Sequence, residues 1–432
     1  MKIQRRDFIK WSLTQAAIGS AALTASAGAF PTKRSGPSIL QGATDRTRTQ
    51  FSIVYLNPVR SVVTDEFGNQ ILPDREEFFS FQNHPLKISR CFFSNLRPDQ
   101  QFSLNVFDQN VQIDVREFQT LDDRKEVLRF ALLSCMDHNE HKPEIWQNLV
   151  KQNPDVLFFI GDAVYADGGI GKAANPAQLW SSFCDSRQVL EIYFSKKLIP
   201  TIAVWDDHDF GHNNSGLWDY PYVKESQKNF LQFFAQSSTH CDWLRTGPGI
   251  ASAFQFNDQL FLLMDDRSFR LKRGSHDRYA HWGEAQETWM LSLIESHRGP
   301  VWLINGSQIF PQSVWMESLA RDHATQFKAV MKELSGMKSK VIFASGDVHY
   351  SEISKIEREM LGYQTFEVTS SAVHSPVMFG APTTVPNSRR MAATGKRNYI
   401  LIDSRANGSG AQLNLGCFSQ AGSLYFQKKL AV

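Results

Sequence analysis

Residues 341–349 read VIFASGDVH, an apolar run that ends in Gly346, Asp347 and His349. Residues 156–162 read VLFFIGD and end in the same Gly-Asp pair. Short apolar runs bounded by turn residues are typical of buried strands in a parallel sheet. Loops that leave the carboxyl ends of such strands meet in one crevice. The two stretches therefore predict an α/β sheet with a polar site at one edge.

Four further apolar runs end in polar residues in the same way. These runs cover residues 128–133, 201–204, 260–264 and 301–304, and they stop at Ser134-Cys135, Trp205-Asp206-Asp207-His208-Asp209, Asp265-Asp266-Arg267 and Asn305-Gly306-Ser307. Amphipathic helical stretches such as residues 143–153 and 284–297 lie between them. This alternation predicts an α/β layer architecture from residue 123 onward.

The amino-terminal part has a different pattern. Residues 50–122 consist of short alternating segments separated by turns, which predicts a small antiparallel β-sandwich. Residues 30–49 are rich in Ser, Thr, Gly, Pro and charged residues without periodicity, which predicts a linker. We expect an export signal at residues 1–29, and we expect the α/β domain to occupy residues 123–432.

Residues 4–10 read QRRDFIK, and a weakly apolar, Ala-rich stretch follows as far as Ala27. Paired arginines before such a stretch are typical of a twin-arginine export signal, and the alternative is an Arg-rich helix start in a cytosolic protein. The stretch is too weakly apolar, and is interrupted by Gly19, to predict a stable membrane span. We expect a periplasmic or extracellular protein whose partner during export is the twin-arginine translocase.

Composition and charge exclude some function classes. The 432 residues are 42% apolar and 21% charged, as in ordinary globular proteins. The formal net charge is +2, and residues 1–29 contribute +3 of it, so the remaining chain gives no electrostatic basis for binding nucleic acid. Five widely spaced cysteines show no disulfide framework, and at least one thiol stays free.

Residues 205–214 read WDDHDFGHNN and concentrate acids, imidazoles and amides. Acids crowded at a strand end raise one another's pKa unless a cation neutralises them. The alternative is a solvated acidic turn, but bulky Trp205 and Phe210 flank the acids. A turn or helix cap would explain either Gly-Asp pair alone. Taken together with Asp162 and Asp347, the segment predicts a metal site.

The ordered set of motifs resembles the PhoD-like alkaline phosphatases of the calcineurin-like metallophosphoesterase superfamily. The motifs that carry the resemblance are residues 134–135, 161–167 (GDAVYAD), 205–211 (WDDHDFG), 264–270 (MDDRSFR), 283–286 (GEAQ), 345–350 (SGDVHY) and 368–371 (VTSS). The resemblance implies a four-layer α/β/β/α metallophosphoesterase sandwich preceded by an immunoglobulin- or fibronectin-like β-sandwich. It also implies an exported, metal-dependent hydrolase of phosphate mono- or diesters, in which a metal-activated hydroxide attacks the phosphorus.

The resemblance further implies two or more metal ions, iron with calcium, with zinc or manganese as alternatives. The implied ligands are Cys135, Asp162, Asp207, Asn213, Asp347 and His349. Cys135 would bind iron as a thiolate, and the alternative is a buried small hydrophobe. A tyrosine ligand that the family places upstream of residues 205–214 has no counterpart at Phe183 or Cys184, and Asn214 stands where relatives have Asp.

The remaining site predictions concern the substrate. His208 is predicted to protonate the leaving oxygen or to orient the phosphate. Arg267 is predicted to bind the phosphate, and the alternative is a salt bridge to its acidic neighbours. Tyr165 and His374 are candidate substrate contacts, with a structural role as the alternative for each. Two other functions stay open: an inactive exported envelope-binding protein on the same scaffold, and a hydrolase specific for nucleotides.

Overall fold

The computed structural model describes residues 32–432 apart from residues 168–171, 312, 314, 315, 377 and 379. Lys33–Val432 forms one unit that contains both the β-sandwich and the α/β layers. The export signal predicted at residues 1–29 lies outside the described residues. Within the described part of the chain, no helix is long and apolar enough to cross a membrane.

The strands are numbered β1 to β22 in chain order. They are Ser38–Gln41, Thr49–Tyr55, Val59–Thr64, Gln70–Ile71, Arg75–Ser80, Lys87–Phe93, Gln101–Asp108, Val111–Gln119, Leu128–Leu133, Val156–Ile160, Thr201–Val204, Leu244–Thr246, Ser252–Phe256, Gln259–Met264, Val301–Asn305, Val341–Ser345, Ser351–Ile356, Thr365–Thr369, Arg390–Thr394, Asn398–Asn407, Gly410–Ser419 and Leu424–Ala431. The six predicted apolar runs correspond to β9, β10, β11, β14, β15 and β16, with bounds that differ by one residue at most.

The helices are numbered α1 to α9 in chain order. They are Pro143–Lys151, Pro176–Val189, Asp207–Phe210, Val223–Phe233, Glu284–Ser296, Leu319–Asp322, Ala324–Ser335, Arg358–Leu361 and Ala381–Thr384. Both predicted helices are present, as α1 and α5. Proline at the first position of α1 lacks the backbone N–H that a helix start leaves unpaired, which suits it to that position.

Two four-stranded antiparallel sheets form the β-sandwich, in the orders β1-β2-β6-β5 and β4-β3-β7-β8. The predicted linker over residues 30–49 is wrong for Ser38–Gln41, which pairs with β2 from Ser38 opposite Val54 to Gln41 opposite Phe51. All four residues of this strand are buried. Four residues are too few to show a periodicity, and the strand is held by backbone pairing that the sequence does not display.

Two larger sheets pack face to face. One has six strands in the order β11-β10-β9-β20-β21-β22, and the other has eight in the order β12-β13-β14-β15-β16-β18-β17-β19. The ring of Phe130 lies 5.2 Å from that of Phe261 and 5.0 Å from that of Trp302, centroid to centroid. Aromatic edge-to-face contacts of this kind fill the space between the sheets.

The outer faces of the two sheets carry helices, as the alternation of side chains in β14 shows. Leu260 and Leu262 belong to the same core cluster as Met290 of α5, whereas Phe261 belongs to the core between the sheets. In the other sheet, Phe159 packs on Trp146 of α1. Successive strand residues point to opposite faces, so each sheet is covered on both sides. The four-layer α/β/β/α sandwich is therefore confirmed.

Replacing Phe130 by alanine should lower the free energy of unfolding by about 3–5 kcal/mol, because its fully buried ring contacts both sheets. Chemical denaturation measures the change. Phe78→Ala is the control, since this ring is 61% exposed on the edge strand β5 and its loss should change stability by less than about 0.5 kcal/mol. Equal stability of the two variants would contradict the packing of the two sheets.

Candidate metal centre

The carboxyl ends of four strands bring the predicted ligands together. Cys135 follows β9, Asp162 follows β10, and Asp207 follows β11. Asp347 and His349 follow β16 in the second sheet. Strands β9, β10 and β11 are parallel neighbours, so their polar ends lie at one edge of the first sheet.

Among the residues that the structure describes, three groups of donor atoms lie close enough to hold a cation. In each group the atoms are all within 4.8 Å of one another, and the groups are Cys135 with Asp162 and His349, Asp162 with Asp207 and His208, and Asp206 with Asp207 and Asp347. Asp162 belongs to the first two groups and Asp207 to the last two. The donors therefore form one continuous cluster, in which Asp162 joins Cys135 and His349 to Asp207, and Asp207 joins Asp162 to Asp206 and Asp347.

The backbone around this cluster is unusual. Cys135, Asp162, Asp347 and His349 have positive φ angles of 57°, 54°, 71° and 57°. Residues other than glycine seldom adopt this left-handed conformation, which costs on the order of 1–3 kcal/mol each and concentrates at functional sites. The four strained residues are the thiol, carboxylate and imidazole donors themselves, which indicates that the fold holds them for their chemistry.

Glycine precedes both strained aspartates because the chains approach closely there. A Cβ on Gly161 would lie 2.7 Å from the Cβ of Asp206, and one on Gly346 would lie 2.6 Å from Ser134 Oγ. Neither distance is compatible with a side chain. Glycine, which has no Cβ, permits this close approach.

The pKa values of the acids in this cluster are shifted by burial and by their charged neighbours. Burial, together with neighbouring carboxylates, raises the pKa of Asp162 well above its ordinary value and the pKa of Asp347 to about 8. Burial also opposes ionisation of Asp207, but His208 and Arg267 outweigh it and lower the pKa of this carboxyl. The Oδ2 atom of Asp206 is buried without a hydrogen-bond partner among the described residues. A bound cation would satisfy this oxygen and stabilise the charged carboxylates, so the donor set fits a metal.

The thiol of Cys135 has polar surroundings. Its sulfur lies 3.4 Å from Asp162 Oδ2 and 3.0 Å from Ser371 Oγ. Burial, with the nearby charge of Asp162, raises the pKa of this thiol well above its ordinary value. A cysteine that served as packing would have apolar neighbours, so the contacts favour a metal ligand over a buried hydrophobe.

Tyr165, which the sequence analysis assigns to substrate binding, lies beside the donor group of Cys135, Asp162 and His349. Its hydroxyl is 3.1 Å from His349 Nε2 and 3.5 Å from Asp162 Oδ2. This position favours a fourth metal donor over a substrate contact. Phe183, near which the sequence analysis seeks a tyrosine ligand, stacks on Phe233 in the helical core.

His208 is held by a residue that the sequence analysis does not assign, Asp167. The Nδ1 atom of His208 lies 2.6 Å from Asp167 Oδ1, and its ring lies 4.1 Å from that of Tyr165. Burial would lower the pKa of His208, but the carboxylates of Asp207 and Asp162 outweigh it and raise the pKa to about 11. The one feature of the sequence that could have indicated a role for Asp167 is its place in the segment GDAVYAD, residues 161–167.

Arg267 lies within a buried acidic network. Its Nε donates to Asp206 Oδ1 at 2.6 Å, one terminal nitrogen donates to Glu317 at 3.0 Å, and the other donates to the carbonyl of Ser215. The side chain has no exposed surface. Since each nitrogen already has a partner, the geometry favours the salt bridge over the predicted phosphate contact. Arg267 lowers the pKa of Asp206, but burial outweighs this effect and raises that pKa well above its ordinary value.

Two predicted site residues have no described side-chain contact with the donor atoms, although the backbone N–H of His374 donates to the carbonyl of Cys135 at 2.9 Å. His374 is buried against Trp146 and His141, and its Nδ1 accepts from the backbone of Lys142. This favours a structural role over substrate contact. The side-chain oxygen of Asn213 accepts from Asn214, whose backbone N–H donates to Asp207 Oδ2 at 2.6 Å. Its role as a ligand stays a prediction.

A model of the PhoD-like phosphatases matches residues 130–409. This chain belongs to the PhoD-like phosphatase family. Membership supports a metal-dependent phosphoesterase and accords with the donor groups described above. Among solved structures, one titled "Structure of PhoD" has a TM-score of 0.69 and 15% identity, and the match covers 93% of each chain. This likeness shows the fold.

A second solved structure, of an uncharacterized Streptococcus pneumoniae protein titled a predicted phosphoesterase, has 7% identity and a TM-score of 0.28. The match covers 71% of this chain and 99% of that one. The search of curated proteins finds no match.

Asp162→Ala should strip bound metal from the purified protein, because this carboxylate belongs to two of the donor groups. Elemental analysis of wild type and variant measures the metal content per chain. Asp258→Ala is the control, since this exposed carboxylate lies just before β14, at the end of the sheet opposite the cluster. Full metal content in Asp162→Ala would contradict the bridging assignment.

Proposed function

We propose that this PhoD-like chain hydrolyses phosphate mono- or diesters at the cluster of Cys135, Asp162, Asp207, Asp347 and His349. The observation that carries the proposal is the continuity of the three donor groups, which share Asp162 and Asp207. Metal ions bound there would polarise the phosphoryl oxygens and acidify a nucleophilic water. The protein residues would then have to position the ester and supply a proton to the departing oxygen.

His208 lies in one of the donor groups, but an imidazolium cannot bind a metal, so its surroundings suit it to the proton transfer and not to ligation. Asp167 accepts from its Nδ1, which fixes the ring and leaves Nε2 as the second protonated nitrogen of an imidazolium. The carboxylates around His208 favour the charged imidazole. Cations in the cluster would weaken this effect and bring the pKa of His208 closer to the working pH, where a general acid is most effective. His208 would therefore protonate the leaving oxygen.

The donor types support iron with calcium, although zinc or manganese would satisfy the same atoms. Thiolate, phenolate and imidazole donors of Cys135, Tyr165 and His349 favour a transition metal. The group of Asp206, Asp207 and Asp347 offers only carboxylate oxygens, which suit a hard cation such as calcium. Elemental analysis that found two zinc ions and no iron would contradict this assignment.

His208→Gln should lower kcat by about 10²–10⁴-fold while metal content stays unchanged. The loss should be smaller for p-nitrophenyl phosphate or bis-p-nitrophenyl phosphate than for an alkyl phosphate, because nitrophenolate leaves without a proton. A chelator should abolish wild-type turnover. His297→Gln is the control, since its Nε2 hydrogen-bonds the carbonyl of Asp258, away from the cluster.

Equal losses for good and poor leaving groups would contradict the role of His208. Absence of turnover of any of these esters by metal-loaded wild-type protein would contradict the hydrolase, and would favour the envelope-binding alternative. A strong preference for nucleotide esters over nitrophenyl esters would narrow the activity to the nucleotide-specific hydrolase.

We also propose export by the twin-arginine route to the periplasm or beyond. The support is the sequence of residues 4–10, with Arg5 and Arg6 before a weakly apolar stretch. A route that carries folded proteins suits an enzyme whose metal must be acquired before export. Changing both arginines to lysine should retain the protein in the cytoplasm, as measured by cell fractionation. Unchanged secretion of the double variant would contradict the proposal.

A further inference from the structure

Ser371 lies between two of the candidate ligand residues. Its Oγ is 3.0 Å from the sulfur of Cys135 and 2.7 Å from the backbone nitrogen of His349. Cys135 follows β9 of the first sheet, and His349 follows β16 of the second. Ser371 itself follows β18, and its side chain is buried. One hydroxyl therefore joins donors that come from both sheets.

The direction of these two hydrogen bonds follows from the groups involved. The backbone N–H of His349 can only donate, so Ser371 Oγ is the acceptor in that bond. The hydroxyl hydrogen of Ser371 is then free to point at the sulfur, which is the other described contact of this oxygen. A thiolate at Cys135 has no hydrogen to donate, so in that form the bond to the sulfur is donated by the O–H of Ser371, and it favours the charged thiolate.

The neighbouring serine does not provide this donor. Ser134 Oγ lies 3.4 Å from the same sulfur, but it donates its hydrogen to the carbonyl of Ser370 at 2.8 Å. The position of Ser371, in contrast, is fixed by two further hydrogen bonds. Its backbone N–H donates to Ser351 Oγ at 2.9 Å, and Ser351 Oγ donates to the side-chain oxygen of Asn398 at 2.7 Å. The orientation of Ser371 is thus set by two further strands.

We propose that Ser371 is a positioning residue of the metal centre, which donates a hydrogen bond to the Cys135 thiolate and holds the His349 turn through its backbone N–H. This inference rests on the proposed metal site. A hydroxyl that donates a hydrogen bond to a ligating sulfur withdraws electron density from it, so the sulfur donates less to the metal. The energy of the sulfur-to-metal charge transfer therefore rises. It also fixes the separation between thiolate and imidazole, which favours metal binding.

The chain offers a matched control one residue away. Ser370 is as buried as Ser371, but its hydroxyl donates to the carbonyl of Leu132 at 2.7 Å. Removing it deletes the same atom from the same loop without touching Cys135 or His349. A general effect of losing a buried hydroxyl would therefore appear in both variants.

The test uses the full-length protein, stripped of metal and titrated with Co²⁺ alone, in the wild type and in Ser371→Ala, Ser371→Thr and Ser370→Ala. In Ser371→Ala, the sulfur-to-cobalt charge-transfer band should move to longer wavelength and the affinity for Co²⁺ should fall about 10–100-fold. Ser371→Thr keeps the hydroxyl and should restore the wild-type band. Ser370→Ala should leave band and affinity unchanged.

Each contrary result has a separate meaning. If wild-type protein shows no thiolate charge transfer with Co²⁺, Cys135 is not a ligand and the proposed metal centre fails together with this inference. If the wild-type band is present and Ser371→Ala reproduces it at equal affinity, the role of Ser371 alone is overturned. A band shift in Ser370→Ala as large as that in Ser371→Ala would also overturn it. Thermal unfolding of each variant separates a folding defect from a change at the sulfur.

Discussion

The constraint on which this structure depends is the mutual repulsion of buried carboxylates. Asp162, Asp206, Asp207 and Asp347 lie at the ends of three strands, and their oxygens fall within groups no wider than 4.8 Å. Two like charges at about 5 Å repel by about 3 kcal/mol at an effective dielectric constant of about 20. Arg267 and His208 offset part of this repulsion. A cation bound among the oxygens would offset the rest, so the same ion that the proposed hydrolysis needs would also balance the charge of the acids.

The two central sheets keep these acids together against that repulsion. Their facing sides are filled by interlocking aromatic rings such as Phe130, Phe261 and Trp302, which leaves the strand ends little freedom to separate. Cys135, Asp162, Asp347 and His349 also carry left-handed backbone conformations. Strain of this kind persists only where the surrounding packing imposes it. The site is therefore built by the core, and the polar residues alone would not assemble it.

The parts of this arrangement that depend on local sequence could be predicted. Apolar runs gave the strands, and the residues at which each run stops gave Asp162, Asp207 and Asp347. Pairings between distant segments could not be predicted, because their partners share no local pattern. Local composition predicts a linker at Ser38–Gln41, which is a strand paired with β2, and no local pattern shows that β20 pairs with β9 through Ile400 opposite Leu132.

The roles of single side chains were predictable only where the residue type allows one role. An arginine beside acids can bind a phosphate or form salt bridges, and only the geometry of Arg267 shows that its main partners are Asp206 and Glu317, both distant in the sequence. Tyr165 and Asp167 stood in the quoted segment after β10, but which way each side chain points depends on residues from other strands. The role proposed for Ser371 likewise depends on its contact with the sulfur of Cys135, which lies 236 positions away in the sequence.

Anomalous diffraction from crystals of the iron-loaded protein tests the metal centre most directly. Data collected on both sides of the iron absorption edge should place a peak within bonding distance of Cys135 Sγ, a carboxylate oxygen of Asp162 and the imidazole of His349. Iron bound elsewhere, or iron-loaded crystals without a peak among these three donors, would contradict the centre described above and the phosphoesterase mechanism proposed for it.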